Sequence, residues 1–341
     1  MATTGRVGME LVPKKKLHLL TGRTHPKLAR DIAGFLGVEL GEANLVDFAN
    51  SEMRCQFGDS VRGADVFIVQ THSMVGTRSV NDAVFEQLIM IDAAKRASAK
   101  RITAVCPYYG YSRQDRKTQG REPITAKLVA DLLATAGANR VVSVDLHSGQ
   151  IQGFFDGPFD HLTAMPVLVE HLRTHLGSDV VVVAPDAGRI KAAERFSRHL
   201  GTDMASVYKR RRKGEINQVE ALGVMGDVAG RQCVLVDDMI DTAATIVAAA
   251  EQLKVRGAAE VWAAATHAVF SGPAVGRLKS SVIDRVVVTD TLPLSDTLLS
   301  SDDGRSARIE VLPIARIIAD AIDAVFEDTS VSDIFGGENQ S

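Results

Sequence analysis

The chain has 341 residues, enough for two domains of common size, and its apolar content is adequate for a sizeable core in each. The formal net charge of −3 argues against a protein that binds nucleic acid through bulk electrostatics, so a site for an anion must be local. No apolar run approaches the roughly 18 residues that a membrane span needs, and we expect no membrane partner.

The three cysteines, Cys55, Cys106 and Cys233, are far apart in the chain and show no metal-ligand spacing. We therefore interpret them as reduced core residues of a cytoplasmic protein. Residues 1–16 end in three lysines with no apolar segment behind them, which predicts a loose tail.

Apolar runs and helix-like periodicity alternate through the first half of the chain. The predicted elements are, in order, a strand at 18–20, a helix at 26–36, a strand at 65–69, a long helix from Asn81, a strand at 102–105, a helix from Pro123 that carries Leu128 and Leu132, and a strand at 141–144. Strands separated by helices of roughly 10–15 residues indicate βαβ units and a mostly parallel sheet.

The same alternation then begins again. It predicts a helix at 165–176, a strand at 180–183, a helix at 190–200, a strand at 234–236, a helix at 246–253, strands at 261–265, 286–288 and 309–312, and a helix at 314–326. The polar residues 336–341 are expected to fray. This order predicts an α/β protein of two similar domains, each a mostly parallel sheet flanked by helices, with a boundary near 155–165.

The segment at 233–245 carries a strong chemical signal. An apolar strand is followed, before the next helix, by two acids and then by Asp-Thr-Ala-Ala-Thr: Asp237, Asp238, Asp241, Thr242, Ala243, Ala244 and Thr245. A loop that opens a helix presents unpaired backbone N–H groups that suit a phosphate, whereas three close carboxylates need cations or hydroxyl groups. A sugar phosphate, with or without Mg²⁺, meets both needs. The alternative is an acidic turn that only caps a helix.

The acidic segment resembles the ribose 5-phosphate loop of phosphoribosyltransferases and of ribose-phosphate diphosphokinases, which make 5-phosphoribosyl 1-diphosphate (PRPP). It does not choose between them. A second loop, at 107–117, contains two arginines, a lysine, an amide and aromatic residues, which can bind a polyphosphate and stack on a nucleotide, although a charged surface loop has the same composition. It resembles the Tyr-Gly-Tyr-x-Arg-Gln-Asp-Arg segment of PRPP synthetases. Phosphoribosyltransferases lack this segment, so the resemblance favours the synthetases.

Further motifs extend the resemblance from about residue 20 to residue 335. It implies an ATP site formed by Phe48, Asn50, Glu52, Arg113, Gln114, Asp115 and His147, with the first three at the adenine ring. His147 and Asp186 match the two metal-binding segments, which implies Mg²⁺ as the cofactor, although His147 taken alone is more typical of a structural histidine.

Residues 209–213 place five cations in succession in a slightly acidic chain. Five like charges repel and cannot be buried, so we expect this segment to be mobile until an anion neutralises it; a solvated charge run is the alternative. In the family a loop of this kind closes over the reacting phosphates, and Lys209 and Arg211 match its catalytic pair.

The resemblance implies that the C1 hydroxyl of ribose 5-phosphate attacks the β-phosphorus of Mg-ATP and yields PRPP and AMP. It implies two domains of phosphoribosyltransferase type, one at 17–160 that binds ATP and one at 161–317 that binds ribose 5-phosphate, with a helix at 318–335 that returns to the first. A catalytically silent regulatory subunit and a phosphoribosyltransferase are the alternatives. A silent regulatory subunit should have lost cations or metal ligands. A phosphoribosyltransferase does not need residues 113–116 for its reaction.

Three departures from the family pattern bear on the sites. Ala243-Ala244 stands where Gly-Gly is common, and we expect weaker ribose 5-phosphate binding at most, because each methyl group narrows the approach of a phosphate. Arg189 replaces a common Gly and either adds a cation near the ribose site or points to solvent. Gln119-Gly120 replaces the Arg-Ser of many phosphate-activated members.

Regulation is expected from a partial match. The family's allosteric site, at which phosphate and ADP act as effectors, is matched by Ser60, Arg62, Ser330, Val331 and Ser332. In the family this site forms between subunits, so the resemblance alone implies a homo-oligomer, a hexamer built from dimers.

Overall fold

The computed structural model describes residues 15–210, 221–295 and 308–335. Residues 1–14 of the predicted tail, the polar end at 336–341 and Arg211 lie outside these ranges. The described residues form two mostly parallel sheets flanked by helices, as the alternation of apolar runs predicted.

The first half of the chain builds a five-stranded sheet. Its elements are, in chain order, β1 (Leu17–Thr21), α1 (Pro26–Leu36), β2 (Ala43–Asp47), β3 (Met53–Phe57), β4 (Asp65–Val69), α2 (Val80–Arg96), β5 (Arg101–Cys106), α3 (Thr125–Ala136), β6 (Arg140–Val144), a 3₁₀ helix (Gly149–Phe154) and β7 (Phe159–Leu162). The sheet is parallel throughout, in the order β1-β4-β5-β6-β7. Strands β2 and β3 form a separate antiparallel hairpin.

The second half builds a seven-stranded sheet. Its elements are α4 (Met165–His175), β8 (Val180–Ala184), a 3₁₀ helix (Ala187–Arg189), α5 (Ile190–Leu200), β9 (Asp203–Arg210), β10 (Ala221–Met225), β11 (Gln232–Ile240), α6 (Ala244–Val255), β12 (Glu260–Ala268), α7 (Ala274–Lys279), β13 (Arg285–Thr289), β14 (Arg308–Leu312), α8 (Ala315–Phe326) and a last 3₁₀ helix (Ser332–Phe335). The order is β10-β9-β8-β11-β12-β13-β14, and only the β10–β9 pair is antiparallel among the described strands of this sheet.

The central strands are buried on both faces because helices cover them. All five residues of β4 and all five of β8 are buried, and a run such as Val-Val-Val-Val is typical of parallel strands. Helix α8 packs against α1, where Leu28 and Ile32 share an apolar cluster with Ile318 and Ile322. None of the described helices is long and apolar enough to cross a membrane.

Helix α3 carries Leu128 and Leu132 as predicted, but it begins at Thr125 and not at Pro123. The helix buries Val129 and Leu133, whereas Leu128 is 53% exposed and Leu132 is 40% exposed. Apolar residues therefore occupy two stripes of this helix, one buried and one largely exposed. Periodicity alone does not choose between two apolar stripes.

Strands β2, β3, β7, β9 and β10 were not predicted. Every residue of β2 and β3 is half-buried or exposed, so no apolar run marks the hairpin. Strand β9 pairs with β8 and β10 and continues through Arg210. The cationic run at 209–213 therefore begins in a paired strand and not in a loop as expected, while its remainder lies outside the described residues.

The three cysteines carry free thiols. Cys106 and Cys233 are buried, and burial raises the pKa of the first to about 12 and of the second to about 11. Cys55 lies half-buried in the hairpin. A thiol with a raised pKa is a weak nucleophile, so Cys106 and Cys233 act as small apolar core residues.

The carboxyl ends of the two sheets face each other. His267, near the end of β12, contacts through Nε2 the carbonyl oxygens of Val144, the last residue of β6, and of Asp145, both at 3.0 Å. Thr71 Oγ1 donates to the carbonyl oxygen of Thr291 across the same boundary, at 2.8 Å. Ligands of open α/β sheets bind beyond the carboxyl ends of the strands, so functional residues are expected at this boundary.

Candidate active site

A pocket of about 160 Å³ at this boundary brings most of the predicted site residues together, and we call it the acidic pocket. The first half of the chain contributes Arg113 and His147, and the segment after β8 contributes Asp186 and Arg189. The remaining lining comes from the end of β11 and the start of α6: Asp237, Asp238, Met239, Ile240, Asp241, Thr242, Ala243, Ala244, Thr245 and Ile246.

Strand β11 is longer than predicted and carries two of the acids within it. Its pairing with β8 ends at Leu235, whereas its pairing with β12 continues to Ile240. Because β8 stops first, the last residues of β11 have an edge without a strand partner. The segment after β8 folds over this edge, where Arg189 contacts Asp237 and Asp238.

Asp237 and Asp238 are largely buried and cannot both carry an uncompensated charge. Burial, together with the neighbouring carboxylate, raises the pKa of Asp237 to about 8. Burial also opposes ionisation of Asp238, but His147 and Arg189 outweigh it and lower the pKa of Asp238 to about 2. Burial and the nearby cations therefore push the pKa values of the two adjacent carboxyl groups apart.

Arg189 points into the site, which the sequence could not decide. Its Nε donates to Asp237 Oδ1 at 2.8 Å and its Nη2 donates to Asp238 Oδ1 at 2.7 Å. The same Nη2 lies 2.8 Å from His147 Nδ1, and that nitrogen lies 2.8 Å from Asp238 Oδ2. The guanidinium thus joins both acids to the histidine.

The start of α6 offers backbone donors to an anion. Ala243 precedes the helix in the left-handed conformation, with φ of 61° and ψ of 5°, and it is buried. No side chain caps the first N–H groups of the helix. Arg277 donates to the Thr242 carbonyl oxygen and holds the loop from the other side. Uncapped N–H groups at a helix start suit a phosphate.

A larger cleft of about 860 Å³ adjoins the acidic pocket at Arg113, which lines both. The loop after β5 forms one wall of this cleft and includes Gln114, whose Oε1 accepts a hydrogen bond from Thr125 Oγ1 at 2.6 Å. Asp115 follows in the same loop but lines neither the cleft nor the acidic pocket.

The predicted adenine residues lie elsewhere. Phe48, Asn50 and Glu52, in the turn between β2 and β3, line a third pocket of about 590 Å³ and do not reach the acidic pocket. Asn81 lines both this third pocket and the 860 Å³ cleft, so the two adjoin. Phe48 is exposed, and its ring is open to a stacking partner.

The hairpin is fixed by a charged network that sequence reasoning missed. Arg23 donates from Nε to the buried Glu86 Oε2 at 2.6 Å and from Nη2 to Asp47 Oδ1 at 2.7 Å. Arg78 also donates to Asp47. No local motif signals this network, because its members come from separate segments of the chain.

Two further residues that were missed hold the His147 segment. Asp145 has a φ of 34°, and its carboxylate accepts hydrogen bonds from Ala164 N at 2.9 Å and Thr266 Oγ1 at 2.6 Å. His161 Nε2 accepts a hydrogen bond from Leu146 N at 2.8 Å. Asp145 could have been identified as a candidate from the sequence, because it directly follows an apolar strand. No local pattern in the sequence marks His161 as a functional residue.

The donors at the acidic pocket suit Mg²⁺. The described residues contain no cluster of three or more His, Cys, Asp or Glu side chains that would form a closed metal site. Mg²⁺ keeps several waters and uses one or two carboxylates together with substrate phosphates, so sparse oxygen donors fit it. Asp186 Oδ1 accepts a hydrogen bond from Gly188 N at 2.8 Å, which orients that carboxylate.

The remaining predicted residues lie on separate elements. The backbone of Lys209 lies beyond the point where β9 pairs with the last residue of β8, at the sheet edge that also carries Asp186. Among the regulatory candidates, Ser60, Arg62, Ser330 and Ser332 are exposed and Val331 is buried.

Known proteins match almost the whole chain. Residues 17–137 match the N-terminal domain of ribose phosphate pyrophosphokinase, and residues 215–336 match a phosphoribosyl synthetase-associated domain. A ribose-phosphate pyrophosphokinase of Bifidobacterium longum is 54% identical over 332 residues, which cover 96% of this chain and 94% of that protein. One from Streptomyces avermitilis is 50% identical over 329 residues, with 96% and 98% covered.

A solved structure agrees with these relatives. The crystal structure of phosphoribosylpyrophosphate synthetase from Mycobacterium smegmatis matches with a TM-score of 0.83 and 47% identity, covering 92% of this chain and all of that one. The predicted fold class and the resemblance drawn from the motifs are thereby confirmed. The chain belongs to the ribose-phosphate pyrophosphokinase family.

Proposed function

We propose that this protein transfers the diphosphoryl group of Mg-ATP to the C1 hydroxyl of ribose 5-phosphate, which gives PRPP and AMP. The observation that carries the proposal is the acidic pocket, in which Arg113 and His147 from the first half of the chain face residues 237–245 from the second. Uncapped helix N–H groups beside carboxylates suit a sugar phosphate, and the neighbouring cations suit a polyphosphate.

Ribose 5-phosphate binds at the end of β11 and the start of α6 in this proposal. Its phosphate takes the backbone N–H groups of Ala243, Ala244 and Thr245, with the hydroxyls of Thr242 and Thr245 as further donors. Its ring hydroxyls donate to Asp237 and Asp238, and Asp241 lies at the same mouth. The domain at 161–317 is accordingly the ribose domain.

ATP occupies the 860 Å³ cleft, with Arg113 at the junction to the ribose site. Gln114 and Asp115 belong to the same loop, and Phe48, Asn50 and Glu52 bind the adenine ring in the adjoining pocket. The domain at 17–160, with the helix at 318–335 packed on it, is the nucleotide domain.

The transfer depends on alignment and on charge, and no covalent enzyme intermediate is needed. His147 and Asp186 would hold Mg²⁺, which would supply positive charge to the phosphate oxygens and lower the pKa of the attacking hydroxyl. Arg113, Lys209 and Arg211 donate to the phosphate oxygens on which negative charge is spread. Exclusion of water by the 209–213 segment prevents the hydrolysis of ATP.

Assembly and regulation belong to the same proposal. Exposed apolar side chains on α2 and α3, Phe85, Leu128 and Leu132, support a homo-oligomer, for which we propose the hexamer. Ser60, Arg62, Ser330, Val331 and Ser332 are proposed to bind phosphate and ADP as effectors. The enzyme is proposed to act in the cytoplasm.

The test is AMP formation from ATP and Mg²⁺, measured with and without ribose 5-phosphate. We expect AMP only with the sugar phosphate, and unphosphorylated ribose is the matched control because it lacks the group that the helix start binds. AMP formation at the same rate with and without ribose 5-phosphate would contradict the proposal. The absence of AMP formation at every phosphate concentration would also contradict it. The second result would instead favour a silent regulatory subunit.

A phosphate titration in the same assay addresses regulation. Because Gln119-Gly120 replaces a common Arg-Ser, we expect activity without added phosphate and a weak response to it. Strong activation that is lost in an Arg62→Ala variant would show that the departure at 119–120 has no consequence.

A further inference from the structure

Arg189 makes contacts that the proposed reaction does not explain. Its side chain is 16% exposed, and the guanidinium lies across the two carboxylates to which the ribose hydroxyls are assigned. Its helical turn, Ala187–Arg189, ends where α5 begins, so the side chain reaches β11 from the start of that helix. An arginine held by three polar partners at 2.7 to 2.8 Å has a specific position.

The hydrogen-bonding capacity of Asp237 limits what else it can bind. A carboxylate oxygen has two lone pairs, and Asp237 Oδ1 already accepts hydrogen bonds from Arg189 Nε and Asp238 N, both at 2.8 Å. Asp238 Oδ1 is taken by Arg189 Nη2 and Asp238 Oδ2 by His147. A sugar hydroxyl must therefore compete with Arg189 for the acceptor positions on Asp237 Oδ1 and Asp238 Oδ1.

The Nδ1 atom of His147 cannot make good hydrogen bonds to both Arg189 and Asp238 at once. His147 Nδ1 can accept a hydrogen bond from Arg189 Nη2 only without its own hydrogen, and it can donate to Asp238 Oδ2 only with one. One of the two contacts is therefore unfavourable for either tautomer. The arrangement holds the acids but leaves Arg189 less firmly bound than its number of partners indicates.

We propose that Arg189 is an internal counter-cation of the ribose site, which competes with the sugar hydroxyls and with divalent cations for Asp237 and Asp238. This inference rests on the proposed function. Binding of ribose 5-phosphate then requires that the guanidinium release the carboxylates, and part of the binding free energy is used for that release.

Direct binding measurements test the competition without relying on turnover. Ribose 5-phosphate affinity is measured by calorimetry and Mn²⁺ affinity by electron paramagnetic resonance, on the full chain. Arg189→Ala is expected to lower both dissociation constants at least threefold, because it frees the carboxylates and removes a repelling charge. Arg198→Ala, which removes an exposed arginine from the next helix, is expected to change neither.

A second variant keeps the test decisive if Arg189→Ala fails to fold. Arg189→Lys retains the charge but cannot span both carboxylates, so we expect ribose 5-phosphate to bind more tightly than to the wild type and Mn²⁺ to bind about as well. Unchanged or weaker ribose 5-phosphate binding in a folded variant overturns the competition.

Failure of this inference differs from failure of the proposed function. If the wild type forms AMP from ribose 5-phosphate but the variants do not bind the sugar phosphate more tightly, the competition is wrong and the reaction stands. If the wild type forms no AMP, tighter Mn²⁺ binding by Arg189→Ala still supports the counter-cation and unchanged binding still refutes it.

Discussion

Arg113 and Asp241, which are 128 residues apart in the chain, form an ion pair with 2.5 Å between Nη1 and Oδ2. The arginine belongs to the loop after β5 in the first sheet, and the aspartate follows β11 in the second. Their side chains are 55% and 27% exposed, so the pair contributes only about 0–1 kcal/mol to stability. Its consequence is positional, because it holds the guanidinium where the large cleft meets the acidic pocket.

The first prediction concerns this guanidinium. Arg113→Ala should lower kcat about 100-fold or more, because a donor to the reacting phosphates is lost, while the unfolding temperature changes little. Steady-state AMP formation and a thermal melt measure the two effects. Arg116→Ala removes the same charge from the same loop and is the control. Equal losses in the two variants would show that only the net charge of the loop matters.

The second prediction concerns the cationic run. Lys209→Ala and Arg211→Ala should each reduce turnover far more than they raise the KM values for ATP and ribose 5-phosphate, because their contacts form with the transferred group. Arg210→Ala is the matched control, since it removes a neighbouring cation to which the proposed reaction assigns no role. Turnover that is reduced no more than in the control would refute the catalytic role of the pair.

Local sequence patterns were sufficient for the elements that pack on both faces. Apolar runs indicated strands such as β8, and the predicted end of the first helix at residue 36 agrees with α1, which Gly37 terminates in the left-handed conformation. The hairpin of β2 and β3 could not be predicted in this way, because its residues are half-buried and its position depends on the contacts of Arg23 with Glu86 and Asp47.

The same distinction applies to the site. The acids, the helix start and His147 lie in short motifs whose chemistry is readable from adjacent residues. The direction of the Arg189 side chain was not readable, because it depends on the earlier end of β8 relative to β11, which is a property of sheet register. Features that depend on neighbouring residues in the chain could therefore be predicted, whereas features that depend on contacts between distant segments could not.

The third prediction concerns Ala243, which adopts a left-handed conformation that costs a residue with a Cβ about 1 kcal/mol. Ala243→Gly should therefore raise the free energy of unfolding by about 1 kcal/mol and tighten ribose 5-phosphate binding, because a phosphate can approach the backbone more closely. Urea denaturation and calorimetry measure the two effects. Ala244→Gly, which lies in the first turn of α6, should instead destabilise the protein by a similar amount. A loss of stability in both variants would contradict the assigned strain.

The fourth prediction concerns acid sensitivity and His72, which is fully buried beneath the loop after β5. Its Nδ1 accepts a hydrogen bond from Gly110 N at 3.0 Å, its Nε2 contacts Gln87 Oε1 at 2.8 Å, and burial lowers its pKa to about 4. The unfolded chain, with a histidine pKa near 6.5, therefore binds more protons between these values. Stability should be intact above pH 6.5 and fall as the pH drops toward 4, by about 2 kcal/mol at pH 5 from this residue.

Urea denaturation at pH 7.5 and pH 5.0 measures this contribution. His72→Gln is expected to be less stable than the wild type at pH 7.5, but the loss on going to pH 5.0 should be smaller by about 2 kcal/mol, because the variant has no group to protonate at this position. Cys106→Ala is the control, since it removes another buried partner of Gln87 but retains the histidine. It should keep the full dependence on pH, and an equally reduced dependence in both variants would mean that His72 is not the group that responds.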